Sequence, residues 1–156
     1  MSVTSDFTEF VFRTNYGDLP QDVIKMTKKL ILDIFGSIIY SSKMDWSKKV
    51  VAFVQRLESR GKSTVIPFGF KTAAPSAALA NGTMGHGFEI DDVHDGGMHH
   101  PGAVVIPAAL AVGEQESVDG RQFLLAVIMG YEMMCRIGMA VGAKYHNMRG
   151  FHATGT

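Results

Sequence analysis

Cysteine is almost missing from this 156-residue chain: Cys135 stands alone, which excludes an internal disulfide framework and a cysteine-only zinc site. Charge is scarce as well. Asp, Glu, Lys and Arg make up 19%, against about a quarter in an ordinary soluble domain, so surface destined to be covered is expected. Charge of one sign is not in excess, because fifteen Lys and Arg balance fifteen Asp and Glu. No global field therefore exists to hold nucleic acid or an anionic membrane. The first residues, Met1 to Asp6, lack a basic stretch followed by an apolar run, so secretion is not expected. No uninterrupted apolar run is long enough to cross a bilayer. These absences predict one cytoplasmic domain without a nucleic-acid or membrane partner.

What is present is apolar and helical. Hydrophobic residues reach 46%, enough for a sizeable core. A first clear helix is predicted from Leu19-Pro20-Gln21-Asp22, since proline at the first helical position lacks only a donor that would be orphaned anyway. Val23, Thr27, Leu30, Ile31, Ile34 and Ile38 then recur at helical spacing up to the break at Ser41-Ser42-Lys43. A second helix carries Val50, Phe53, Val54 and Leu57 on one side and ends near Arg60-Gly61. The stretch 63–69 contains Pro67 and reads as an extended connector. From Ala74-Pro75 the residues turn small, as a helix needs when neighbouring backbones approach closely. A further alanine-rich helix is predicted from Gly102 to about Glu116. Asp119 and Gln122 form a capping-box start for a last helix that buries Phe123, Val127, Gly130, Met134 and Ile137. Tyr131 reads as core, and Cys135 as a buried, inert thiol. Lys144, His146 and Arg149 read as a solvated basic loop. The predicted fold is all-α, a helical bundle over residues 1–156.

Chemistry concentrates between residues 86 and 100. Four of six histidines (His86, His94, His99, His100) and four acids (Glu89, Asp91, Asp92, Asp95) fall in this stretch, with Gly96 and Gly97 to let the backbone fold back. Imidazoles beside carboxylates supply groups that exchange protons near neutrality. Three readings compete on composition alone. One is a polar loop whose carboxylates cap the next helix. Another is a metal site using His86, Glu89, His94, His99 and His100, although the spacing matches no established zinc motif. The last is metal-free acid/base catalysis beside a carboxylate.

The strings Asn81-Gly82-Thr83-Met84-Gly85-His86, Glu89-Ile90-Asp91-Asp92-Val93-His94 and His100-Pro101-Gly102-Ala103 resemble the signature of the MmgE/PrpD family. Gly130-Tyr131-Glu132 with Arg136, and Gly150-Phe151-His152 with Thr154, extend the likeness from about Leu19 to the last residue. That family includes 2-methylcitrate dehydratase, cis-aconitate decarboxylase and iminodisuccinate epimerase. The resemblance implies a two-domain, usually homodimeric enzyme of small di- and tricarboxylates, working without metal or organic cofactor. It places Glu89, His100 and His152 in the catalytic pocket. Asp91, Asp92, His94 and Arg136 are implied as substrate-binding or loop-orienting residues, Arg136 being read mainly as the structural partner of Glu132.

The sequence departs from the family at two positions, where aspartate is usual for Glu89 and threonine is frequent for Val93. It also lacks the second, α+β domain and a pocket lysine supplied from beyond position 156. The expectation is therefore an N-terminal part, inactive by itself, of a 2-methylcitrate dehydratase-like lyase of propanoate metabolism. A related decarboxylase or epimerase is the alternative, as is a non-catalytic helical fragment that acts by association with a missing domain or partner chain.

Overall fold

The computed structural model describes residues 2–57, 59–142, 148 and 154. His152, Lys144, His146 and Arg149 lie outside the described residues. The elements are α1 (Val3–Arg13), a 3-10 turn (Tyr16–Asp18), α2 (Gln21–Ser41), α3 (Asp45–Arg56), β1 (Ser63–Thr64), β2 (Lys71–Thr72), α4 (Ala74–His86), α5 (Pro101–Glu116) and α6 (Gly120–Val141). The all-α expectation holds, with one two-residue antiparallel pair as the only sheet among the described residues.

Helix α4 lies at the centre because its small residues permit it. Ala77, Ala80 and Met84 are fully buried among Ile34 and Ile38 of α2, Val51 and Val54 of α3, and Ala103 and Ile106 of α5. A Cβ on Gly82 would lie 3.0 Å from the Ala103 carbonyl oxygen, and one on Gly85 would lie 2.9 Å from Ile34 Cδ1. Close approach of α4 to α5 therefore depends on Gly82, and its approach to α2 on Gly85. The predicted caps also form. The Asp119 carboxylate accepts from the backbone N–H groups of Arg121 (2.9 Å) and Gln122 (2.8 Å). The Gln122 side chain in turn accepts from the Asp119 N–H at 3.2 Å, completing the box.

Several details differ from the sequence reading. Helix α1 precedes the first predicted helix, capped by Ser2 and Ser5 but burying no residue. On α3 the buried residues are Ser47, Val51 and Val54, while Phe53 and Leu57 face out. On α6 the buried residues are Leu124, Val127, Ile128 and Met129, while Ile137 is exposed. The connector at 63–69 opens with β1, whose partner β2 follows it. Asn81 pins it by accepting from the Ile66 N–H (2.9 Å) and donating to the Thr64 carbonyl (2.8 Å). Glu114 accepts from both the Thr64 N–H and hydroxyl at 2.6 Å, which ties β1 to α5.

Helix α6 is long and apolar enough to cross a membrane by length and composition alone, although Arg121, Glu132 and Arg136 interrupt its apolar run. Its inner face packs on α5 in this fold. Elsewhere, large apolar side chains are left open, Phe12 at 83% and Leu32 at 72% exposure among them.

Candidate functional site

The segment between α4 and α5 is held by its own carboxylates. Asp92 Oδ1 accepts from the Gly102 N–H at 3.0 Å, and Asp92 Oδ2 accepts from the Tyr131 hydroxyl at 3.0 Å. One side chain thus joins the loop to the first turn of α5 and to the middle of α6. Burial pushes the Asp92 carboxyl above its usual range, and Asp91 and Asp33 add repulsion, while the bonds from Tyr131 and Gly102 pull it back. The Tyr131 hydroxyl is pushed upward by burial and by Asp92, so it stays a donor. Tyr131, read from sequence as core, is therefore the partner that fixes this loop.

Asp91 points the other way. Its side chain is fully buried, with both oxygens 3.2 Å from His86 Nδ1 and Oδ1 3.4 Å from His100 Nδ1. The two imidazole rings lie 4.6 Å apart, centroid to centroid. A carboxylate at Nδ1 fixes a ring's tautomer and orientation. His100 also caps the start of α5, and its backbone N–H donates to Thr154 Oγ1 at 2.9 Å.

Of the residues expected at the site, the structure joins Asp91 and His100 directly. His86 completes that group, although the sequence reading had given it no catalytic part. Glu89 is exposed and adopts the left-handed region at φ 52, a conformation costing about 1 kcal/mol for a residue with a side chain. It lines, with His86, Thr83, Ala103 and Thr154, a cleft of about 630 Å³. His94 lies apart from His100's carboxylate partner and accepts from the Gly97 N–H through Nδ1 at 3.0 Å. Arg136 is exposed and pairs with Glu132 at 2.7 Å, as its i,i+4 spacing predicts. No sequence signal marks the pairing of His86 with Asp91, because it depends on the loop turning back beneath the end of α4.

His86, Asp91 and His100 also lie close enough to hold a metal ion, as do His94, His99 and Cys135. Burial, then the charges of Glu132 and Asp92, push the Cys135 thiol up, which keeps it protonated and poorly nucleophilic at neutral pH.

The MmgE/PrpD N-terminal domain matches residues 5–156. The chain belongs to the MmgE/PrpD family. Among MmgE/PrpD relatives, it is 29% identical to the cis-aconitate decarboxylase-like protein oryM of Aspergillus oryzae, over 97% of this chain and 33% of that protein. It is 30% identical to a cis-aconitate decarboxylase of Aspergillus terreus, over 96% of this chain and 32% of that one. The mouse cis-aconitate decarboxylase is 28% identical over 87% of this chain and 29% of its own length. The chain thus spans about a third of the length of the curated relatives it matches.

Proposed function

We propose that this chain supplies the N-terminal part of a lyase active site that moves protons beside a carboxylate of a small di- or tricarboxylic acid without a cofactor. The observation that carries the reading is Asp91, fully buried between the Nδ1 atoms of His86 and His100. Burying a carboxylate is costly unless it is paired, and here its partners are two groups that exchange protons near neutrality. In this reading Asp91 positions the rings, and His100 donates or accepts the proton at the reacting carbon. Glu89, on the cleft wall, and His152 are the other proton-handling groups. Imidazolium charge also attracts the substrate's carboxylates.

The names of the matched relatives favour decarboxylation. The bond between the reacting carbon and a carboxyl group breaks, carbon dioxide leaves, and the electron pair left on carbon takes a proton from the imidazolium. Dehydration of a 2-methylcitrate-like acid is the second reading, and the family resemblance favours it. A base removes the proton beside the carboxylate while an acid protonates the departing hydroxyl. Glu89 acts on substrate choice between such acids, since its longer side chain on the cleft wall shifts the carboxylate by about one methylene. A second domain and a second copy of the polypeptide complete the cleft in either case.

The test uses the complete polypeptide encoded by the gene, assayed for carbon dioxide release from cis-aconitate and for water elimination from 2-methylcitrate. His100→Ala is expected to lower turnover by about 10²–10⁴ with an unchanged circular dichroism spectrum. Full turnover in that variant removes the site. Absence of turnover on every small polycarboxylate tried supports the association module instead.

A further inference from the structure

We propose that His94, His99 and Cys135 form a binding site for a divalent transition metal, zinc above all, that clamps the 94–99 turn onto α6. The site uses none of the groups around Asp91 and stands independently of the lyase reading.

His99 raises the question. Its side chain is 2% exposed, and neither ring nitrogen has a hydrogen-bond partner among the described residues. A neutral imidazole carries one N–H and one lone pair, and leaving both unmet in a buried site is costly. The surroundings are nevertheless shaped to receive this ring. A Cβ on Gly138 would lie 2.6 Å from His99 Cε1, and a Cβ on Gly97 would collide with the same ring. Two glycines, one on the turn and one on α6, thus make room for an imidazole with no hydrogen-bond partner among the described residues.

What lies next to that ring is a set of metal-binding atoms. One ligand atom each from His94, His99 and Cys135 lies within 4.8 Å of the others. The His94 and His99 rings meet edge to face at 5.3 Å, because the His94 N–H donates to the His99 carbonyl at 2.9 Å and closes the turn. Cys135 lies three residues before Gly138, on the same side of α6. In tetrahedral zinc sites, Zn–N bonds of about 2.0–2.1 Å and Zn–S bonds of about 2.3 Å separate ligand atoms by roughly 3.3–3.7 Å. Capture of the ion therefore draws the three side chains together by about 1 Å.

Two imidazoles and one thiol suit zinc, and three protein ligands leave a fourth position open. Coordination satisfies the lone pair of His99. It displaces the Gly97 N–H from His94 Nδ1, a bond that the metal-free chain uses in place of the ion. The thiol proton is released on binding, as for any thiolate ligand. His99 also lines an apolar cavity of about 520 Å³ beside Val105, Met134, Ile137 and Thr154. The clamp thereby fixes the residue immediately before His100.

The experiment titrates zinc and cobalt into the chelator-treated full chain under reducing conditions. One equivalent of zinc is expected to bind and to raise the melting temperature. Cobalt is expected to show the visible bands of tetrahedral coordination and a thiolate charge-transfer band in the near ultraviolet. Cys135→Ser, which keeps the side-chain shape, should abolish the charge-transfer band and weaken zinc binding by about tenfold or more. His94→Gln should weaken it by a similar factor. The proposal fails if no zinc binds to folded protein. It also fails if bound cobalt lacks the thiolate band, or if His86→Asn removes binding while Cys135→Ser does not.

Discussion

The Tyr131 hydroxyl donates to Asp92 at 3.0 Å across 39 residues of sequence, joining α6 to the loop that carries the site. Tyr131→Phe removes this bond and leaves a partly buried carboxylate with one fewer donor. A loss of about 1–2 kcal/mol in unfolding free energy is expected, read from denaturant melts. A variant as stable as the parent shows that water replaces the hydroxyl without cost.

Gly102 closes the same connection from the α5 side. A Cβ there would collide with Asp92 Oδ1 and lie 2.8 Å from the Tyr131 oxygen. Gly102→Ala should therefore destabilise by about 1–3 kcal/mol, in spite of alanine's better helix propensity. A gain in melting temperature would mean that propensity outweighs the clash.

Asn81 satisfies two backbone groups of the connector, and its side chain is buried. Asn81→Ala leaves both the Ile66 N–H and the Thr64 carbonyl without their partner, at about 1–3 kcal/mol for each buried group. The expected loss is at least about 2 kcal/mol. Faster amide exchange at Ile66 locates it.

Asp91 separates charge from shape. Asp91→Asn keeps a polar side chain of the same size between His86 and His100 but removes the negative charge that both rings face. In the complete polypeptide, turnover is expected to fall by about 10²–10⁴, with the secondary structure retained. Unchanged turnover in that variant would remove Asp91 from the mechanism.

Helices with a one-sided pattern and a local cap were legible in the sequence. The capping box at Asp119 and Gln122 needs only neighbouring residues, and the small residues of α4 announce close packing wherever it occurs. The face that each helix buries was less legible. Phe53 and Leu57 have the same hydrophobicity as Val51 and Val54, and only the position of α4 decides which pair is covered. Helix α1 is capped by Ser2 and Ser5 yet buries none of its own residues, so no packing partner marks its place in the fold.

The sequence by itself determined the helical class, the caps, and the crowding of imidazoles and carboxylates between residues 86 and 100, because each depends on neighbours along the chain. Only the tertiary structure decided how that crowd divides. Asp91 turns inward to His86 and His100, Asp92 turns to Tyr131 and Gly102, and His94 and His99 turn to Cys135. Adjacent residues on a folded-back loop point to different sides, and the partners awaiting them come from helices far away in sequence.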